Sequence, residues 1–74
     1  MTTNSEFEYD LGVVGLGYVG LPLAVEASIQ GLSVIGYDIN SERVEMINNG
    51  ISPIEDISND ELSNALENFF STLD

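Results

Sequence analysis

Residues 10–40, "DLGVVGLGYVGLPLAVEASIQGLSVIGYDIN", decide how this chain folds. Inside them the block "VVGLGYVGLP" sets Gly15, Gly17 and Gly20 in a run, residues 11–25, that carries no charged side chain. Such a run fits a phosphate-binding turn or a plain apolar patch, and its flanks decide between the two. Upstream, Tyr9 to Val14 is short and mostly apolar without polar alternation, the signature of a strand buried on both faces of a parallel sheet. Downstream, Val19 to Gln30 favours a helix. Pro22 falls in its first turn, where a missing N–H costs little, and Gly31 stands where a left-handed C-cap belongs. This predicted helix keeps only a narrow polar stripe, Glu26 and Gln30 at i and i+4, so it packs against more than its own sheet.

A Gly-x-Gly-x-x-Gly turn that follows a strand and opens a helix is the context a dinucleotide fingerprint requires. Gly15 then allows the tight turn, Gly17 the approach of a pyrophosphate to the backbone, and Gly20 the close packing of helix on strand. Leu16 lies within the turn, and the amides near Tyr18 and Val19 face the phosphates from a helix N-terminus, where the dipole favours negative charge. The second half of the test is an acid. Leu32 to Tyr37 reads as the second strand and Asp38 closes it, 18 residues after Gly20 and near the spacing of about 20 expected of a ribose-binding carboxylate. A carboxylate accepts from both ribose hydroxyls and repels a 2′-phosphate, so Asp38 predicts NAD rather than NADP. Its plainer role is to cap the next helix from a strand end. Arg43, the only cation in the chain, follows Asp38 by five residues. It can reach the adenosine end of a dinucleotide, or pair with Glu42 or Glu45 on the surface.

Beyond this block, Asn40 or Ser41 can cap a short helix running to about Asn48, with Gly50 just past its end. A proline loop, "ISPIEDIS", follows. "SNDE", Ser58 to Glu61, matches a capping box and predicts a helix through Phe69 or Phe70. The closing "STLD" reads as the approach to another strand. Residues 1–8 read as a flexible acidic arm, and 9–74 as a partial NAD-binding domain. The predicted fold is α/β, the N-terminal half of a Rossmann-type doubly wound parallel sheet (βαβ plus helices). It is incomplete as a domain, because one strand pair cannot cover both faces of such a sheet.

Composition narrows the function. Thirteen acids against one base, a formal net charge of −12, argue against nucleic acid and against anionic membrane surfaces. The apolar fraction of 43% disfavours a disordered acidic chain. At molar salt the Debye length falls to about 3 Å, which would screen this self-repulsion, so the acidity points to a salt-adapted source. With no cysteine and no histidine, the chain lacks a thiolate nucleophile, a disulfide, and the commonest general base and metal ligand. No catalytic residue and no metal site is therefore predicted. The uncharged run is shorter than the roughly 20 residues a bilayer crossing needs. The acidic "MTTNSEFEYD" before it is unlike a signal peptide. The expectation is a cytoplasmic protein that binds no membrane. Its open sheet edge and apolar first helix point to self-association, or to pairing with the remainder of a longer enzyme.

The stretch "LGVVGLGYVGLPLAVEASIQGLSVIGYDINSERVEMINNGISPIEDIS" resembles the N-terminus of the UDP-glucose/GDP-mannose dehydrogenase family, nearest the branch acting on UDP-N-acetylhexosamines such as UDP-N-acetylmannosamine or UDP-N-acetylglucosamine. "GLGYVGLP", "GYDIN" and the "RV" after it carry the resemblance, which runs from about Leu11 to Asp74. It implies that the glycine loop binds the NAD pyrophosphate, that Asp38 binds the adenosine ribose and that Arg43 contacts the cofactor. It further implies oxidation of a sugar C6 alcohol to a carboxylate in two NAD-dependent steps through a cysteine-bound intermediate, with products that feed surface glycans. The catalytic cysteine and lysine and the sugar-binding domain of such enzymes lie far beyond position 74, so a UDP-sugar is a partner of the full-length enzyme only. Two departures stand out. "EASIQGLS" lacks the basic residues common on the family's first helices, and "SPIEDIS" differs from the corresponding loop of UDP-glucose enzymes, which favours an acetamido sugar. A stand-alone nucleotide-binding unit without chemistry is the alternative. A methyltransferase start fits less well, because of the tight glycine spacing and "YVGLP".

Overall fold

Three short apolar runs pair in parallel to form the sheet of this protein, a computed structural model of which describes residues 9–73. The elements follow in the order β1 (Leu11–Val14), α1 (Gly20–Ile29), β2 (Val34–Asp38), α2 (Ser41–Asn48), α3 (Asn59–Ala65) and β3 (Phe69–Leu73). The spatial order is β1-β2-β3, with Leu11 opposite Val34 and Val34 opposite Phe69. Both crossovers step the same way across the sheet. Right-handed connections of that kind bring their helices to the same face.

Strand alternation sorts the side chains accordingly. Val13, Val34 and Phe69 share the helix face and join Leu21, Ala24, Val25, Ile47, Leu62 and Ala65 in one buried cluster. The buried face of α1, Leu21, Ala24, Val25 and Ser28, has the i, i+3, i+4, i+7 spacing of a helix lying on a core. Its polar stripe is held together by a 2.9 Å hydrogen bond from Gln30 to Glu26. The opposite sheet face, with Val14 and Phe70 exposed, has no helix over it among the described residues. The buried Ser28 hydroxyl donates to the Ala24 carbonyl at 2.8 Å. Ser71 donates to Asn48 Oδ1 at 2.6 Å, which ties β3 to α2.

The predicted caps are present. Gly31 and Gly50 take the left-handed conformation, with φ of 103° and 78°. Asn40 rather than Ser41 caps α2, its side chain accepting from the Arg43 amide. Ser58 and Glu61 form the reciprocal capping box at α3.

Three boundaries differ from expectation by two residues or more. The third helix ends at Ala65 instead of running through Phe69 or Phe70, and those two phenylalanines open β3. The reason is tertiary. The Val34 amide donates to the Asn68 carbonyl at 2.7 Å, and the Phe69 ring is buried beside β2. Burying such a ring stabilises by about 2–3 kcal/mol, more than one further helical turn offers. The sheet thus has three strands where the sequence predicts two and the approach to a third. Likewise, β1 begins at Leu11 rather than Tyr9 and β2 at Val34 rather than Leu32. Their ends are closed by Ser33, whose carbonyl accepts from Asp10 and Leu11 and whose amide donates to the Asp10 carboxylate. The expected arm at residues 1–8 lies outside the described residues.

Candidate dinucleotide site

The site gathers at the C-terminal ends of β1 and β2, where ligands sit in open α/β sheets. Gly15 leaves β1 with a φ of 91°, which strains any residue carrying a Cβ, while its amide still donates to the Tyr37 carbonyl at 2.7 Å. Leu16 then turns inward and is fully buried. It fits because β2 carries a glycine beneath it: a Cβ on Gly36 would stand 2.8 Å from Leu16 Cδ2 and 2.9 Å from the Phe69 ring. Gly20, the first residue of α1, has a different reason to lack a side chain, since a Cβ there would overlap the Gly15 carbonyl oxygen.

Gly17 stands apart. Its φ is not positive and nothing lies within 4 Å of where its Cβ would be. Neither backbone strain nor packing against the described residues asks for glycine at 17. That open side of the turn is where a ligand could approach the backbone closely. Tyr18 and Val19 complete the turn with exposed side chains, and Val19, the N-cap of α1, provides no side-chain hydrogen bond to the helix. The first turn of α1 holds no acid, although the chain has thirteen. In that turn the Leu21 amide already donates to the Gly17 carbonyl at 3.1 Å and Pro22 has no N–H, so the donors without a partner among the described residues are the amides of Tyr18, Val19 and Gly20, which with the positive dipole end suit a pyrophosphate.

Asp38 closes β2 and is 5% exposed. Its Oδ2 accepts from the Leu16 amide at 2.7 Å and from Arg43 Nη1 at 3.0 Å, and its Oδ1 accepts from the Asn40 amide at 2.9 Å. Burial alone would raise the carboxyl pKa. The Leu16 and Asn40 amides and the Arg43 guanidinium outweigh it and hold the pKa below its ordinary value of 3.8. The sign follows. The stabilising contribution is fully present above the ordinary carboxyl range and is lost as the pH falls through the depressed folded value. Arg43 pairs with Asp38, not with Glu42 or Glu45, and its side chain is about one-third exposed. Asp38 thus ties glycine loop, strand end and arginine together, while the capping of α2 falls to Asn40.

Two shallow clefts meet at Val14 and Gly15. One, of about 560 Å³, runs past Gly12, Gly17, Tyr18 and Leu23. The other, of about 230 Å³, is walled by Tyr37, Asp38 and Ile39. Sequence reasoning passes over Ile39 and Gly36. Ile39 is an exposed apolar residue beside the carboxylate, and only its place between Asp38 and Asn40 marks it. Gly36 has a readable signal, because a glycine inside a strand often marks a close approach. Among the described residues no helix is long and apolar enough to cross a membrane.

Residues 9–74 match the NAD binding domain of the UDP-glucose/GDP-mannose dehydrogenase family. The chain is 48% identical over 44 residues to the UDP-N-acetyl-D-mannosamine dehydrogenase of Pyrococcus horikoshii, a match covering 60% of this chain and 10% of that protein. It is 44% identical over 61 residues to the UDP-N-acetyl-D-glucosamine 6-dehydrogenase of Pseudomonas aeruginosa, covering 82% of this chain and 14% of the relative. Among solved structures, a UDP-glucose dehydrogenase from the hyperthermophilic archaeon Pyrobaculum islandicum superposes with a TM-score of 0.78 at 30% identity, over 97% of this chain and 17% of that one. The chain spans only about a tenth to a sixth of the length of these proteins.

Proposed function

This chain belongs to the UDP-glucose/GDP-mannose dehydrogenase family and carries sequence of its NAD-binding domain, and from that premise we propose that the Gly15–Gly20 turn, Asp38 and Arg43 hold the NAD. In this reading the pyrophosphate rests on the backbone of Gly15, Leu16 and Gly17 and on the amides around Tyr18, Val19 and Gly20. The Asp38 carboxylate accepts from the adenosine ribose, and Arg43 and Ile39 border the adenosine. The observation that carries the assignment is the open space at Gly17. Bound NAD supplies the hydride acceptor, and the residues of this chain bind and orient it.

The reaction served is oxidation of the C6 alcohol of a UDP-sugar to a carboxylate. That step consumes two NAD and one water and releases two NADH and three protons. An N-acetylhexosamine is the favoured sugar, on the relatives quoted above and on the "SPIEDIS" loop. Catalytic groups and the sugar site come from outside these 74 residues, which contain no cysteine. The product feeds polysaccharide synthesis in the cytoplasm. The thirteen acids support a salt-adapted source, in which the chain gains helical circular-dichroism signal between dilute and molar salt.

The test is calorimetric titration of NAD into the wild-type chain and into Gly17→Val. The variant is expected to keep its circular-dichroism spectrum and to bind NAD at least about tenfold more weakly, a loss of 1.4 kcal/mol or more. Undiminished NAD binding by a folded Gly17→Val would remove the turn from the cofactor. The chain incubated with NAD and a UDP-sugar is expected to make no NADH.

A further inference from the structure

The Asp38–Arg43 pair reaches beyond holding a ribose. A carboxylate offers about four lone-pair directions, and three of those at Asp38 already receive donors from Leu16, Asn40 and Arg43. Arg43 is anchored at the other end as well, since its own amide donates to Asn40 Oδ1 at 3.0 Å in the first turn of α2. Its guanidinium uses Nη1 on Asp38, and the remaining nitrogens make no hydrogen bond among the described residues. So the one cation of a chain with thirteen acids stands beside the proposed ribose acceptor, partly exposed, with most of its donors uncommitted.

A guanidinium with several available donors is the receptor that a phosphate monoester selects, by bidentate hydrogen bonding. Here the carboxylate that would repel a 2′-phosphate also neutralises the group that would receive one. We propose that Arg43 is a masked receptor for a ribose 2′-phosphate, held out of that role by its ion pair with Asp38. The NAD preference then has two sources at one residue: the charge of Asp38 and its capture of Arg43. Removing the carboxylate inverts the preference instead of merely relaxing it, and the inversion depends on Arg43. This inference rests on the proposed NAD site and goes beyond it by making Arg43 a specificity-determining residue.

The experiment is a four-way cycle: wild type, Asp38→Asn, Arg43→Gln and the double variant, each titrated calorimetrically with NAD and with NADP. In Asp38→Asn the amide oxygen can still accept from Leu16, so the loop keeps its tie. Asp38→Ser provides a second carboxylate-free background should the first fail to fold. Wild type is expected to prefer NAD, and the carboxylate-free variant to prefer NADP. Adding Arg43→Gln should return at least about tenfold of that shift, the size of a hydrogen bond to a charged group. Arg43→Gln alone, with the Asp38 carboxylate intact, should still prefer NAD to NADP, whatever affinity for both it loses. An equal NADP shift with and without Arg43 would overturn the proposal. So would a preference for NADP in Arg43→Gln alone. A wild type that binds neither dinucleotide would overturn the cofactor reading itself, and this inference with it.

Discussion

Helices α1 and α3 begin in opposite ways. At α3 the start is closed from within: the Ser58 hydroxyl accepts from the Glu61 amide at 3.0 Å, the Glu61 carboxylate accepts from the Ser58 amide at 3.0 Å, and Asp60 and Glu61 meet the dipole with negative charge. At α1 the cap residue is Val19, no side chain bonds an amide, and the first turn carries no acid. A chain with thirteen acids has placed acids in the first turn of α2 and α3 and left α1 without one. A helix start of the first kind completes a fold. One of the second kind leaves its positive end open to an anion.

The sharpest way to break this contrast is at Gly20. A methyl group there would overlap the Gly15 carbonyl oxygen, and the contact is with backbone that cannot rotate away. Gly20→Ala is expected to destabilise by about 3 kcal/mol or more, enough to remove the cooperative urea transition of a small domain. Gly17→Val, three residues earlier, should leave that transition nearly in place. If both glycines tolerate substitution alike, the cradle does not have the geometry described here. A smaller effect is expected at the other helix. Ser58→Ala should cost about 1 kcal/mol in urea unfolding, the usual worth of an N-cap, and leave the NAD dissociation constant unchanged. A parallel loss of NAD affinity would mean that the two helix starts are not independent.

What the sequence makes legible follows the same division. Features set by neighbours along the chain are readable: the left-handed Gly31 and Gly50, a cap at Asn40 or Ser41, the Ser58–Glu61 box and the glycine turn ending in a helix. Each is a local rule about dihedral angles or about a side chain bonding an amide three residues on. Features set by contacts across the fold are not. Phe69 and Phe70 extend an apolar pattern that a helix could continue, and only the pairing of Phe69 with Val34 makes them a strand. The bond from the Leu16 amide to Asp38 spans 22 residues, and no spacing rule encodes it. The Gly17 and Gly20 roles read from the motif have different standing once the space around each is known. Gly20 is required by this chain's own backbone, whereas Gly17 is required by nothing in the chain that the structure describes.

The mildest prediction turns on Val19, and it separates the two kinds of helix start by sign. Val19 is 84% exposed, so replacing it removes little packing. Its φ of −103° and ψ of −47° are helical, unlike the extended backbone at Asn40 and Ser58, so a polar side chain here is poorly placed to bond back onto the helix. An aspartate at this position therefore acts by charge alone. Toward the helix dipole it is favourable, and Val19→Asp should raise stability by about 0.5 kcal/mol. Toward a pyrophosphate it is repulsive, and NAD binding should weaken by about threefold, the effect of one screened like charge near the surface. Val19→Lys should move both quantities the other way. Urea midpoints and NAD titrations on the two variants check this, at low and at raised salt, where both effects shrink. A structural turn with no ligand would show the stability changes without the affinity changes. A cradle whose amides point elsewhere would show neither sign reversal, and the contrast between α1 and α3 would then reduce to a difference in capping chemistry.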